Sequence, residues 1–448
     1  MNSTVVSIAD LSGQEVKWTF EYFDPVLSGY LGRLANPTPL GDLIKEIRYG
    51  ASLSPDYSEM GILFIRAQNI RDGGVDLTDV RYIPEEGLDV ERFRLKAGDL
   101  LITRSGINVG DAAVVPPELE GSIHGSYSIK VRLDQDRVSP DYAAIVLNSD
   151  IGRRQVAVAR ARSAQPNVNI PELRSLIIPL WPRPVQDHIA ALMQQAHAAR
   201  RAMLAEAEAL LRGIDGYVLG ELGIELEETL DRKRFVIPFS SVVGGRLDVG
   251  PASGQFTTQR CPDLAWEPLC DIAELPSTTR IASRNPNAVY TYIGMSDVDD
   301  ALGEVHIQHL KGCDIRANKV VFKGGDVVFA RIEPCIYNRK IALIPPEVGE
   351  ALGSTELVVA RARPQIWPAF LLWILRSELI QRQIAGKMTG TTGRRRLPHR
   401  AFADLQIPKV PVEVQMAIAG EAAQRRDRAK ELRRQAETVV TEARARVE

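Results

Sequence analysis

The chain has 448 residues, 45% of them hydrophobic and 25% charged, a balance usual for soluble globular proteins and a length beyond one ordinary core. Lys and Arg number 55 against 57 Asp and Glu, a formal net charge of −2, which excludes gripping nucleic acid by bulk charge but not through basic groups gathered on one face. Cys261, Cys270, Cys313 and Cys335 show no C-x-x-C spacing, so neither a disulfide framework nor a zinc ribbon is expected, and a cytoplasmic location is. No signal peptide is expected from residues 1–10, and the apolar block at 370–375 is too short to span a bilayer.

In chain order, residues 1–35 form an arm carrying Tyr22, Phe23, Asp24 and Pro25. A first body, 37–182, alternates short β-like runs, such as Ile-Leu-Phe-Ile at 62–65, with Gly, Asp and Pro turns. Within it, Ala-Gly-Asp-Leu-Leu-Ile-Thr-Arg at 97–104 sets a turn, an apolar strand and then Arg104. A helical stretch is predicted at 142–159, followed by a polar loop, Ser-Ala-Gln-Pro-Asn, at 163–167. The body gives way to a helix predicted over 185–211. Its residues Ile189, Met193, Ala196, Arg200, Met203, Ala207 and Leu210 follow the alternating four-three spacing of a heptad seam. Pro182 and Pro184 end the strand before it and permit a clean helix start.

The second half then runs through the same order. Arg246, Leu247 and Asp248 echo the arm weakly, and a β-like run at 319–322 leads to Gly-Gly-Asp-Val-Val-Phe-Ala-Arg at 324–331. Asp326 follows Asp99 at the same offset by which Leu397-Pro398 follows Ile170-Pro171. After a small slip, Ile407-Pro408 and Val414-Gln415 follow Ile178-Pro179 and Val185-Gln186 at a second, slightly longer offset. A helical stretch at 367–385 and a loop at 387–396 match those of the first body, and Pro408 and Pro411 precede the last helix. The seam recurs in register at this second offset, as Ile418, Ala422, Arg425, Ala429, Leu432, Ala436 and Val439. The duplicated bodies, 37–182 and 239–408, read as α+β domains, each followed by a closely packing helix.

Enzyme motifs are missing. The stretch Gly-Thr-Thr-Gly-Arg-Arg-Arg at 390–396 lacks the Lys-Ser/Thr pair of a phosphate loop, and Asn285-Pro286 does not continue as an adenine methyltransferase would require. Asp10, Glu15 and Lys17 have a common accidental nuclease-like spacing, and His306, His309 and Cys313 lack a second cluster that would complete a metal site. No histidine sits in a nucleophile or base pattern. No catalytic or metal-binding residue is therefore expected.

The polar loops suit DNA better. Arg104, Ser105 and Asn108 follow a strand in the first body, as Arg331 does in the second, with Tyr337, Asn338, Arg339 and Lys340 close behind. Later loops add Gln165 and Asn167 in the first body, and Lys387, Thr391, Thr392, Arg394, Arg395 and Arg396 in the second. Arg pairs with guanine and Asn or Gln with adenine, while Ser, Thr and Lys hold phosphates. The 27 residues of 185–211 would make a helix about 40 Å long, near the roughly 34 Å of one DNA turn. Two diverged domains on such a rod predict a split, asymmetric target.

The pattern resembles the specificity subunit of type I restriction–modification systems over nearly the whole chain. The residues that carry it are the Gly-Asp-apolar-Arg element at 98–104 and 325–331, the extension Arg-Ile-Glu-Pro-Cys-Ile-Tyr-Asn-Arg-Lys-Ile-Ala at 331–342, Gly390 to Thr392, and the Ile-Pro-x-x-Pro-x-x-x-Gln boundaries at 178–186 and 407–415. The first body lacks the Gly-Thr-Thr form and the Pro-containing extension. The resemblance implies an arm at 1–35, target-recognition domains at 36–182 and 237–409, a helical spacer at 183–236 and a final helix at 410–448. It implies two similar domains separated by two long antiparallel coiled-coil helices with pseudo-two-fold symmetry. The helix seam would include Ile189, Met193, Met203, Leu210, Ile418, Leu432 and Val439. Such a chain is non-catalytic, reads bipartite double-stranded DNA and docks two methyltransferase subunits, with or without a motor-nuclease subunit. S-adenosylmethionine belongs to the methyltransferase. The competing readings are a coiled-coil adaptor that binds no DNA, and a nuclease or methyltransferase whose motifs have drifted.

Overall fold

The computed structural model describes residues 36–226 apart from 53–56, 72, 85–89 and 163–166, residues 264–447 apart from 277–284, 316–318, 386, 392 and 393, and in addition Leu27, Gly29, Leu31, Gly32 and Leu34. The arm residues Tyr22 to Pro25, their echo at 246–248, and Asp10, Glu15 and Lys17 lie outside the described residues, as do Gln165 and Thr392. The chain divides into two compact units, Met1–Arg200 with Glu437–Glu448, and Arg201–Ala436. Each unit therefore contains part of both long helices.

The first unit begins with β1 (Pro37–Pro39), β2 (Ile44–Tyr49), β3 (Ile62–Ile65), β4 (Ile70–Arg71), β5 (Gly74–Val75) and β6 (Arg81–Ile83). There follow β7 (Leu100–Thr103), β8 (Ala112–Val114), β9 (Ile123–His124) and β10 (Ser128–Leu133). After these come α1 (Pro140–Asn148), α2 (Asp150–Arg162), α3 (Ile170–Ser175) and β11 (Ile177–Pro179). An antiparallel sheet has the order β2-β10-β7-β8, a second sheet has the order β6-β3-β9, and β1 pairs with β11. The apolar run of β7 is explained by burial on both faces: Leu100 and Ile102 join the helix-side core, and Leu101 the other.

The long helix that follows is α4 (Arg183–Glu221), 39 residues rather than the 27 predicted. Gly213, Gly216 and Gly220 weaken its periodic pattern, yet Ile214, Val218 and Leu219 are buried in the second unit's core, and that packing outweighs the glycine propensity. The helix stops at Gly223, whose φ of +64° is the left-handed conformation of a helix end.

The second unit repeats the first. It contains β12 (Trp266–Pro268), β13 (Ala273–Glu274), β14 (Val289–Ile293), β15 (Gln308–Lys311), β16 (Val320–Lys323) and β17 (Asp326–Ala330). Then come β18 (Ile341–Leu343), β19 (Glu350–Gly353), β20 (Leu357–Ala362), α5 (Pro368–Arg376), α6 (Glu378–Ile384), α7 (His399–Ala403), β21 (Gln406–Pro408) and α8 (Val412–Val447). Its sheets have the orders β13-β20-β17-β18 and β15-β14-β19-β16, with β12 on β21. Even the parallel pairing recurs, β3 with β9 and β14 with β19.

Each helical stretch predicted as continuous is instead two helices. Ser149 and Ser377 interrupt them in extended conformation, with ψ of 168° and 159°, and each hydroxyl donates to a carbonyl three residues back. Gly152 suits this corner, since a Cβ there would lie 2.2 Å from the Val146 carbonyl oxygen.

Three polar locks occur once per unit. Asp99, only 1% exposed, accepts two hydrogen bonds from Arg132 at 2.8 Å and one from the Lys96 amide. Asp326 does the same for Arg361 and the Lys323 amide. Gln155 exchanges two hydrogen bonds with the Ile177 backbone, and Gln383 with that of Gln406. Buried Gln186 accepts from the Ser139 amide and donates to the carbonyls of Arg137 and Trp181. Gln415 does likewise with Trp367, Gln365 and Val410. The Gln186 and Gln415 bonds fix each domain on the helix that leaves it.

Within the first unit, Met193 and Ala196 of α4 cluster with Val440 and Ala443 of α8, and Val439 flanks them. Ile189 packs instead on the domain core. Within the second unit, Ala207 clusters with Ala429 and Leu432, flanked by Met203 and Leu210, and Ile418 and Ala422 join the domain core. There Arg425 stacks on Tyr217 at 4.3 Å and donates to the Gly213 carbonyl. Positions rise along α4 as they fall along α8, so the helices are antiparallel in this unit. The alanines of the seam allow the close approach. Among the described residues no helix is long and apolar enough to cross a membrane.

Candidate nucleic-acid interface

In each unit the loop after the doubly buried strand meets the loop that precedes the last short helix. The Arg104 amide donates to the Tyr127 carbonyl at 2.9 Å, and the Val168 amide donates to the Arg104 carbonyl at 3.0 Å. In the second unit the Arg331 amide donates to the Glu356 carbonyl at 3.0 Å, and the Leu397 amide to the Arg331 carbonyl at 2.8 Å. The same backbone junction is therefore built twice. It draws together the two loop groups that the sequence analysis selected separately.

Different side chains stand on it. In the first unit the Arg104 guanidinium lies 4.7 Å over the Tyr49 ring, and its Nη2 donates to Asn169 Oδ1 at 3.1 Å. Among the described residues it has no acidic partner. Ser105 and Asn108 are half-buried beside Gly106, whose φ of +105° turns the loop so that Ile107 is fully exposed. Asn167 is half-buried in the facing loop, and Tyr127 is 65% exposed.

The second unit is more charged. Arg396 grips Glu356 with Nε at 2.9 Å and Nη2 at 2.7 Å, and Arg331 Nε reaches the same carboxylate at 3.4 Å. These arginines, Arg396 above all, hold the Glu356 carboxyl below its usual range. Arg395 pairs with Glu333 at 2.8 Å, while burial and then the Glu333 charge raise the Tyr337 phenol pKa. Thr389 and Arg396 bridge across a hairpin in which Gly390, at φ +117°, needs glycine's freedom. Thr391 and Arg394 are exposed at its tip, joined by a 3.0 Å backbone bond, and Lys387 is exposed at its root. Among the described residues the Arg394 guanidinium has no acidic partner.

Two selected cations are engaged elsewhere. Arg339, at φ +53°, pairs with Asp215 of α4 at 3.3 Å and with Glu378 at 3.2 Å. The Lys340 ammonium donates to the carbonyls of Met295 and Val298 at 3.1 and 3.2 Å. Asn338 is exposed on the same turn. Tyr49, Tyr127, Asn169, Glu333 and Glu356 also stand at these junctions. Only Glu333, inside the Arg-Ile-Glu-Pro run, lay in a stretch already singled out.

No family model matches the chain. It is similar to the specificity subunit of the type I restriction enzyme EcoKI of Escherichia coli K12, 26% identical over 161 residues, which are 35% of this chain and 34% of that protein. The chain is related to type I specificity subunits. The EcoAI specificity subunit of Escherichia coli is 29% identical over 160 residues, 32% of this chain and 26% of that protein. The matches thus span about a third or less of either relative. A chain solved in work on complex assembly and conformational transition of the type I R-M system shares the fold. Its TM-score is 0.53 at 14% identity, covering 93% of this chain and 96% of that one.

Proposed function

We propose that this chain is the DNA-reading specificity subunit of a type I restriction–modification complex. Each domain reads one half of a bipartite, asymmetric double-stranded target. The paired helices set the spacing between the half-sites and dock two methyltransferase subunits, with or without a motor-nuclease subunit. The chain itself performs no chemistry; S-adenosylmethionine is held by the methyltransferase, and the complex works in the cytoplasm.

The observation that supports this reading best is the junction built twice with unlike side chains. Equal backbones give equal docking surfaces. Unlike side chains at the same places, a tyrosine-stacked Arg104 beside Asn169 against Arg331 and Arg396 around Glu356, give unlike base preferences. The charge pattern agrees with a reader rather than a packer, because most of these cations are individually oriented by a partner. The test is selection from randomised DNA duplexes by the chain assembled with its methyltransferase. A discontinuous consensus with two unlike halves is expected. Recovery of no consensus, with assembly intact, would leave a helical adaptor as the better account.

A further inference from the structure

We propose that Tyr127 and Glu356 are specificity-determining residues, one structural position filled with two chemistries, each setting a base preference in its own half-site. The proposal rests on the DNA reading above. The two residues are separated by the same offset as the later repeat elements, Ile178-Pro179 and Ile407-Pro408. Each carbonyl accepts the amide of the interface arginine, Arg104 or Arg331, and each residue directly precedes the central strand, β10 or β20. Their backbones are therefore equivalent, and the difference lies in the side chains.

Tyr127 is 65% exposed beside Arg104, close to the loop that presents Ile107. An aromatic ring left in water on a polar loop surface is apolar area available to a ligand. Its face can stack on a base or meet a thymine methyl group, and its hydroxyl both donates and accepts. Tyr127 thus fits a direct contact.

Glu356 acts through others. Its carboxylate takes Nε and Nη2 of Arg396 and, more loosely at 3.4 Å, Nε of Arg331, which leaves Nη1 and the second Nη2 hydrogen of Arg396 and both Nη groups of Arg331 uncommitted to it. Two such forks held at fixed angles suit the paired N7 and O6 acceptors of guanine. Glu356 is a positioning residue here. An acidic group in a DNA-facing cluster lowers general affinity, so its removal has an unusual signature: tighter binding to arbitrary DNA together with weaker selectivity.

The experiment is the duplex selection repeated with Tyr127→Ala and Glu356→Gln in the assembled complex. Tyr127→Ala is expected to lose discrimination by about ten-fold or more at a base in one half-site only. Glu356→Gln is expected to do so in the other half only, with a rise in affinity for unrelated DNA. Tyr127→Phe and Glu356→Asp serve where the first pair fails to fold, and each is expected to alter preference at the same base. A wild-type complex without a two-part consensus would refute the DNA reading itself. A wild-type complex with that consensus, and variants that fold and keep it unchanged in both halves, would overturn this inference alone.

Discussion

Asp326→Asn isolates the lock that holds the central strand pair of the second domain. The carboxylate is 1% exposed and accepts three hydrogen bonds, from the Lys323 amide at 2.8 Å and from Arg361 at 2.8 and 2.9 Å. Asn keeps the volume and can still accept from the amide, so the turn survives. It forfeits the charge, and two charge-assisted bonds of about 1.5–3 kcal/mol each are lost or inverted. Arg361 is 30% exposed, so water recovers part of that. The net cost should be about 3 kcal/mol. With a urea slope of roughly 3 kcal/mol/M for a unit of this size, the midpoint should fall by about 1 M. Trp266, Trp367 and Trp373 all lie in the second unit and report its unfolding by fluorescence. Asp99→Asn should do the same in the first unit, reported by Trp181. A midpoint shift below about 0.2 M would refute the reasoning that this pair carries the motif.

Three further outcomes follow from named side chains. His124 is buried with Nδ1 2.9 Å from Ser128 Oγ, and burial, aided by the Lys130 charge, pushes its pKa from 6.5 down to about 3. The folded state favours the neutral ring, so this stability is present above pH 6.5 and is lost as pH falls towards 3, on the order of 3 kcal/mol by pH 4.5. His124→Asn should show a shallower acid slope of the urea midpoint than the wild type; parallel slopes would count against it. Leu432, 2% exposed between the helices, should tolerate Asp poorly, losing about 3–5 kcal/mol and co-purification with the methyltransferase. Arg394→Ala should weaken binding to all duplexes alike and flatten the salt dependence by about one ion, measured by titration at several salt concentrations. An unchanged slope would remove Arg394 from the phosphate contacts.

The repeat was legible because both halves keep the same turn, strand and boundary residues at nearly constant offsets. The Gly-Asp-apolar-Arg element combines three physical demands: a turn, an aspartate that locks Arg132 or Arg361, and a strand buried on both faces. Its final arginine does face the second polar loop in each unit. The helix seam was visible as spacing: Met193, Ala196, Ala207, Ala429 and Leu432 of it are buried in small clusters shared by the two helices, whereas Ile189 and Ile418 turn to the domain cores and Val440 is buried in place of Val439. Its extent was not, because glycines at 213, 216 and 220 hide a stretch that tertiary packing keeps helical. The engagement of Arg339 was also hidden, for its partner Asp215 lies far earlier in the chain. Tyr127 and Glu356 carry no local signal: their equivalent places are defined by a backbone hydrogen bond to Arg104 or Arg331, in segments distant in sequence.

Mapping methylated adenines genome-wide, in cells with and without this chain but with the partner methyltransferase present throughout, bears most directly on the account. It predicts methylation at one split motif, two unlike specified halves around an unspecified gap, vanishing when the chain is removed. Identical methylation in both cells, or a motif without a gap, would contradict it.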